Sequence, residues 1–119
     1  MTTRVYLSGP MTGMPGLNFA AFNAAAAMLR AEGVEVVNPA EIKLANPTWE
    51  ACMRADIKAL CDCDAICLLP GWEQSKGSHL ELHLAHRIGL VITFYTAAGT
   101  MACSGAFGAE LCPPEEAPR

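Results

Sequence analysis

Apolar and polar positions along the chain alternate between two rhythms. Val5-Tyr6-Leu7 is a short, β-prone apolar run. It ends at Ser8-Gly9-Pro10, with Gly13, Pro15 and Gly16 beyond, which predicts a strand feeding a glycine-rich loop. Phe19, Phe22, Ala26 and Leu29 then recur at helical spacing in an alanine-rich stretch. Asn18 is placed to cap that helix and Gly33 to stop it. Val34-Glu35-Val36-Val37 predicts a second strand, closed by Asn38-Pro39, and residues 38–47 read as a loop. Thr48 caps a second helix, with Glu50 in its first turn and Trp49, Cys52, Met53, Ile57 and Leu60 as apolar positions. Ala65-Ile66-Cys67-Leu68-Leu69 is continuously apolar, as in a strand buried on both faces. Pro70-Gly71 ends it, and a polar loop over 72–76 leads to a third helix at about 77–87. Gly89 stops that helix, and Leu90-Val91-Ile92-Thr93-Phe94-Tyr95 reads as the fourth strand.

The resulting order, βαβαβαβ, predicts an α/β fold. It is a Rossmann-like or flavodoxin-like three-layer sandwich around a parallel sheet of at least four strands, with right-handed crossovers. Ligands of such sheets bind beyond the carboxyl ends of the strands, at a topological switch point. The loops after the first and third strands are therefore the places to look. This domain occupies residues 1–95. The remainder, 96–119, is rich in Gly, Ala and Pro and reads as a partly flexible tail, with 101–111 a candidate docking element.

Composition narrows the function classes. The 119 residues are 52% hydrophobic and 17% charged, with a net charge of -4. A disordered chain would be less apolar and more charged, and a nucleic-acid polymer calls for a basic surface that this chain lacks. No apolar run reaches the roughly 20 residues of a spanning helix. Met1-Thr2-Thr3-Arg4 leads straight into a strand without a signal-peptide core, and no C-x-x-C pair occurs among Cys52, Cys61, Cys63, Cys67, Cys103 and Cys112. The expectation is a cytoplasmic protein with reduced thiols and no membrane partner.

Two carboxylates stand out in so charge-poor a chain. Glu81, in Gly77-Ser78-His79-Leu80-Glu81, shares a helical face with Leu84, Ala85 and Ile88. It reads either as a functional carboxylate or as one favoured by the helix dipole. Asp56 lies among Cys52, Met53, Ala59 and Leu60. It is either a perturbed group in a cleft or a buried aspartate holding loop backbone or Arg54. The loop Ser8-Gly9-Pro10-Met11-Thr12-Gly13 suits backbone contact with an anion, but it has neither G-x-G-x-x-G nor the Walker lysine and equally fits a plain turn. Ser75 and Ser78 flank Gly77, where they bind phosphate or cap the helix. Tyr6 is near the ligand edge of the sheet or simply packs there. Trp49 and Trp72 border the cleft loops as base-stacking or packing residues. His79 and His83 are four apart, yet without H-E-x-x-H or a third ligand they read as a solvated face rather than a metal site. Cys61, Cys63 and Cys67 read as buried small apolar residues. No metal and no cofactor is expected.

Several segments together resemble the nucleoside 2-deoxyribosyltransferase superfamily, and within it the small DUF4406 branch. They are Val5-Tyr6-Leu7-Ser8-Gly9-Pro10-Met11-Thr12-Gly13, Asn18-Phe19 through Gly33, Val37-Asn38-Pro39-Ala40, Arg54-Ala55-Asp56 through Asp64, and Leu69-Pro70-Gly71-Trp72 through Glu81. They cover nearly all of 4–95 and leave the tail out. The resemblance implies N-glycosidic bond chemistry. Glu81 would be the nucleophile at the sugar C1′, Asp56 would handle the proton of the leaving base, and Tyr6 would orient the nucleophile. It also implies substrate or phosphate contacts at Ser8, Gly9, Met11, Thr12, Gly13, Ser75, Gly77 and Ser78. Free-nucleoside transferases tend to carry aspartate where this chain has Ser75, which favours a nucleotide. Thr12 stands where the nucleotide hydrolases often have arginine, which leaves Lys76 as a cation. A looser likeness, of Pro70-Gly71 and Gly77-Ser78-His79-Leu80-Glu81 to cytokinin-activating phosphoribohydrolases, points to the same bond. The implied partner is a small nucleotide or nucleoside, handled by a homodimer or higher homo-oligomer. The rival reading is a protein of the same fold that binds a nucleotide or ADP-ribose-like ligand without turnover; a third is a purely structural use of the scaffold.

Overall fold

The computed structural model describes residues 3–96 and 101–103. Its strands are β1 (Arg4–Ser8), β2 (Glu35–Val37), β3 (Ala65–Leu68), β4 (Val91–Tyr95) and β5 (Met101–Cys103). The helices are α1 (Phe19–Ala31), α2 (Trp49–Cys61) and α3 (Lys76–Arg87). The sheet order is β2-β1-β3-β4-β5. The first four strands are parallel, so the expected α/β sandwich is present. The sheet does not stop at residue 95. Tyr95 pairs with Met101 and Thr93 with Cys103, adding an antiparallel fifth strand from beyond the expected boundary. The rest of the expected tail and docking element, 97–100 and 104–119, lies outside the described residues.

Strand alternation builds two cores. Val5, Leu7, Ala65 and Cys67 face Phe22, Ala25, Ala26 and Leu29 of α1. Tyr6, Ile66, Leu68 and Ile92 face the other way, onto Leu60 of α2 and Leu82 and Ala85 of α3. Every residue of β3 is buried, as its unbroken apolar run requires. The chain leaves β1 for α1 on one face and leaves β3 for α3 on the other. The β1/β3 boundary is therefore the switch point, and a crevice opens beyond the carboxyl ends of these two strands.

Local details hold the crevice walls. Thr48 caps α2 by accepting from the Ala51 amide at 3.1 Å, and Ser75 caps α3 by accepting from the Ser78 amide at 3.1 Å. Asn18 occupies the N-cap position of α1 but makes no side-chain cap. Its Nδ2 instead donates to the Pro10 carbonyl at 3.0 Å and ties the first loop back on itself. Ile88, expected on the inward face of α3, is 51% exposed. It is the C-cap residue, where the helix has already ended.

Candidate active site

A cavity of about 690 Å³ lies beyond β1 and β3, within the range of small-molecule sites. Tyr6 and Ser8 of β1, Asp56 of α2 and Glu81 of α3 all line it. Tyr6 and Ser8 are two apart on a strand and so project to the same face, toward α2 and α3. Ser78 and Glu81 are three apart on α3 and share a face turned back onto β1. The two pairs meet. Tyr6 Oη donates to Glu81 Oε2 at 2.8 Å. Ser8 Oγ donates to Glu81 Oε1 at 2.6 Å and is hydrogen-bonded to Ser78 Oγ at 2.9 Å.

Glu81 is only 4% exposed. Burial pushes its carboxyl up from its ordinary value to about 7; the Ser8 and Tyr6 hydrogen bonds pull against that, and the neighbouring Asp56 charge adds to it. Asp56 is also pushed up, to about 6, chiefly by burial, with the Tyr6 hydroxyl acting in the opposite direction. Burial, Glu81 and Asp56 together hold the Tyr6 phenol well above its ordinary value, so it remains a proton donor throughout the neutral range. Two carboxyls on either side of one phenol thus share a mostly apolar chamber and titrate near neutrality.

The walls come from residues that the sequence reading did not single out for this purpose. Phe22, Pro39, Pro47, Cys52 and Met53 supply apolar surface. Leu17 reaches the rim from a left-handed turn, with φ of 54°. Lys76 is the one Lys, Arg or His among the described lining residues, and its Nζ stands 4.5 Å from the centroid of the Trp49 ring.

Most sequence candidates converge here. Gly9, Met11, Thr12, Trp49, Ser75, Gly77 and Ser78 join the four polar residues on the lining. Ser8, read as the start of a loop, is instead the last residue of β1 and 1% exposed. Gly9 is needed for close approach: a Cβ there would sit 2.9 Å from Leu69 Cβ. Gly13 does not line the cavity; it shapes the loop with a φ of +83°.

Trp72 also lies off the lining. It is 7% exposed and packs on Phe94 and His79, with ring centroids 5.9 and 5.3 Å away. It follows the Gly71 turn, with φ of 90°, and packs into the core with residues of β4 and α3 rather than facing the cavity. His79 holds the same loop, its Nε2 being 2.7 Å from the Glu73 carbonyl oxygen. Cys63 and Cys67 are buried as expected, whereas Cys61, on the last turn of α2, is exposed. Among the described residues, no helix is long and apolar enough to cross a membrane.

Comparison with known proteins bears on the family and the fold. The family described as "Domain of unknown function (DUF4406)" matches residues 3–94. Among solved structures, the chain is similar to the CMP N-glycosidase BcmB of Clostridium botulinum, at 26% identity and a TM-score of 0.55. That match covers 77% of this chain and 67% of the other. No curated protein matches.

Proposed function

The chain belongs to the DUF4406 family, and on that premise we propose that it is an enzyme cleaving or transferring the N-glycosidic bond of a nucleotide or nucleoside. The observation that carries this reading is the buried Glu81, gripped at both carboxyl oxygens by Tyr6 and Ser8 and sharing its chamber with Asp56. The likeness to a CMP N-glycosidase supports the same bond type and is consistent with the resemblance to the nucleoside 2-deoxyribosyltransferase superfamily.

The chemistry runs in two balanced steps. A Glu81 carboxylate oxygen attacks C1′ and forms a glycosyl ester as the C1′–N bond breaks. The bonding pair leaves with the base, which takes the Asp56 proton. Water then attacks C1′ while the Asp56 carboxylate accepts its proton, and the ester bond breaks to restore the Glu81 carboxylate. A second base in place of water gives transfer rather than hydrolysis. Burial keeps Asp56 protonated at a higher pH than an ordinary aspartate, which is what a leaving base needs. Lys76, beside the amino end of α3, supplies the positive charge for a 5′-phosphate, and Trp49 offers the base an aromatic face.

The test is a panel of ribo- and deoxyribonucleotides and nucleosides incubated with the protein, with released base followed by chromatography. At least one substrate yields free base, and Glu81→Gln lowers the rate by about a thousandfold or more. Full activity in Glu81→Gln would overturn the assignment. Thermal stabilisation by nucleotides with no base released would point to binding without turnover.

A further inference from the structure

The serines at this site have a different geometry from the phosphate-facing one that their place in the sequence suggested. Ser8 and Ser78 are each 1% exposed. Ser8 Oγ is 2.6 Å from Glu81 Oε1 and 2.9 Å from Ser78 Oγ. A hydroxyl has one proton to give, so a Ser8 that donates to the carboxylate must receive the Ser78 proton. The backbone that carries Ser78 is held in turn, because its amide donates to Ser75 Oγ at the start of α3. The result is a chain of two serine hydroxyls ending on one oxygen of Glu81, while Tyr6 takes the other.

We propose that Ser8, oriented by Ser78, is a positioning residue that holds the Glu81 carboxylate for attack on C1′ and is not a phosphate ligand. The role in attack rests on the glycosidase reading; the hold on Glu81 does not. Two fixed donors on different oxygens leave the carboxylate no torsional freedom, and short bonds to an anion are the stronger class of hydrogen bond. The groups that face Glu81 are Tyr6 and Ser8 from β1, Asp56 from α2 and Ser78 from its own helix, with Lys76 on the same cavity wall. Of these, Ser8 and Tyr6 favour the ionised form, and Asp56 opposes it.

The experiment compares Ser8→Ala, Ser8→Cys and Ser78→Ala with the parent protein, each checked for folding by circular dichroism. Two readouts are taken. The first is base release from the best phosphorylated substrate and its nucleoside across pH 5–9. Ser8→Ala is expected to lower kcat about 10- to 100-fold with KM little changed. The basic limb of its profile, which follows Glu81 as the higher-pKa carboxyl, moves to higher pH, with Ser78→Ala showing a smaller version of both effects. A rise in KM confined to the phosphorylated substrate, with kcat and profile intact, would restore the phosphate reading and overturn the proposal.

The second readout is the Glu81 carboxyl titration in the ligand-free protein, followed by carbon-13 NMR with Glu81→Gln as the assignment control. Ser8→Ala and Ser8→Cys raise the midpoint, because the donor that favours the anion is lost or weakened. An unmoved midpoint overturns the hold of Ser8 on Glu81 whether or not any substrate turns over. A parent protein that releases no base from any substrate refutes the glycosidase reading and the attack role with it. The titration then decides the hold alone.

Discussion

Tyr6 Oη donates to Glu81 Oε2 over 2.8 Å, joining the middle of the first strand to the third helix across 75 positions of sequence. Both side chains are buried, at 0% and 4% exposure. The bond turns a packing position into part of a site. A phenol held far above its ordinary pKa keeps its proton, which stays available to Glu81. Tyr6→Phe keeps the ring in the core and removes that donor. Base release should fall about 10- to 100-fold, and the carboxylate oxygen left unpaired should cost about 1–3 kcal/mol of stability. Unchanged kcat in a folded Tyr6→Phe variant would separate Tyr6 from the chemistry.

Glu81 also sets a pH dependence of stability. Its folded pKa of about 7 lies above the unfolded value near 4.5, so the folded state binds the proton more tightly. Stability therefore falls as pH rises from about 4.5 to about 7, and the penalty is complete above that window. A shift of this size corresponds to at most about 3 kcal/mol. Glu81→Gln removes the ionisation but weakens one of the two hydrogen bonds. It should be more stable than the parent by roughly 1–2 kcal/mol at pH 8, with the advantage vanishing below pH 4. Urea denaturation at both pH values measures this directly, and an advantage independent of pH would contradict a raised pKa.

Asp56 and Glu81 sit in one chamber and influence each other, so their protons belong to the pair. The reactive form carries one proton, on Asp56, with Glu81 ionised; because Glu81 has the higher pKa, this is the less populated of the two singly protonated forms. Activity should then trace a bell whose limbs fall near 6 and 7. Asp56→Asn removes the proton donor. Its effect should be largest for substrates with poor leaving bases and smallest for one whose base departs unaided. Equal losses for both kinds of substrate would assign Asp56 to binding.

Gly9 separates packing from phosphate binding. Its missing Cβ would lie 2.9 Å from Leu69 Cβ, an atom close to the backbone that cannot swing aside. Gly9→Ala should cost about 1–3 kcal/mol by overpacking where β1 and β3 end. Gly13→Ala meets open space and carries only the cost of its left-handed backbone, about 1 kcal/mol. Denaturant midpoints of the two variants test the order. A Gly13 variant that is the less stable of the two would refute it.

The fold was readable because each level of the pattern agreed. Unbroken apolar runs marked buried parallel strands, and helical spacing marked the three helices between them. Glu81 and Asp56 were readable for the opposite reason, as carboxylates interrupting apolar stripes. Ser8 was misplaced because strand 1 seemed to end at Leu7; one more strand residue turns its side chain from the loop to Glu81. β5 escaped because three residues in a glycine- and alanine-rich tail carry no periodicity of their own, and only the exposed edge of β4 gives them a partner. The cavity walls were equally hidden, since Phe22, Pro39 and Met53 come from separate elements and meet only in the fold.

The two tryptophans show how far a local sequence can mislead and supply the last test. Both flank cleft loops, yet Trp49 lines the cavity at 38% exposure and Trp72 is buried at 7% against Phe94 and His79. Lys76 lies 4.5 Å from the Trp49 ring, so a bound base would have to share or replace that cation on the aromatic face. Trp49→Ala should raise KM several-fold with a smaller effect on kcat, and nucleotide binding should no longer quench tryptophan emission. Trp72→Phe should keep both the quenching and the KM, because its ring packs in the core and does not line the cavity. Trp72→Ala leaves a core void costing about 3–5 kcal/mol and should lower Tm by more than about 10 °C. Loss of quenching in Trp72→Phe, with quenching retained in Trp49→Ala, would reverse the assignment and move the base from the α2 wall to the loop after β3.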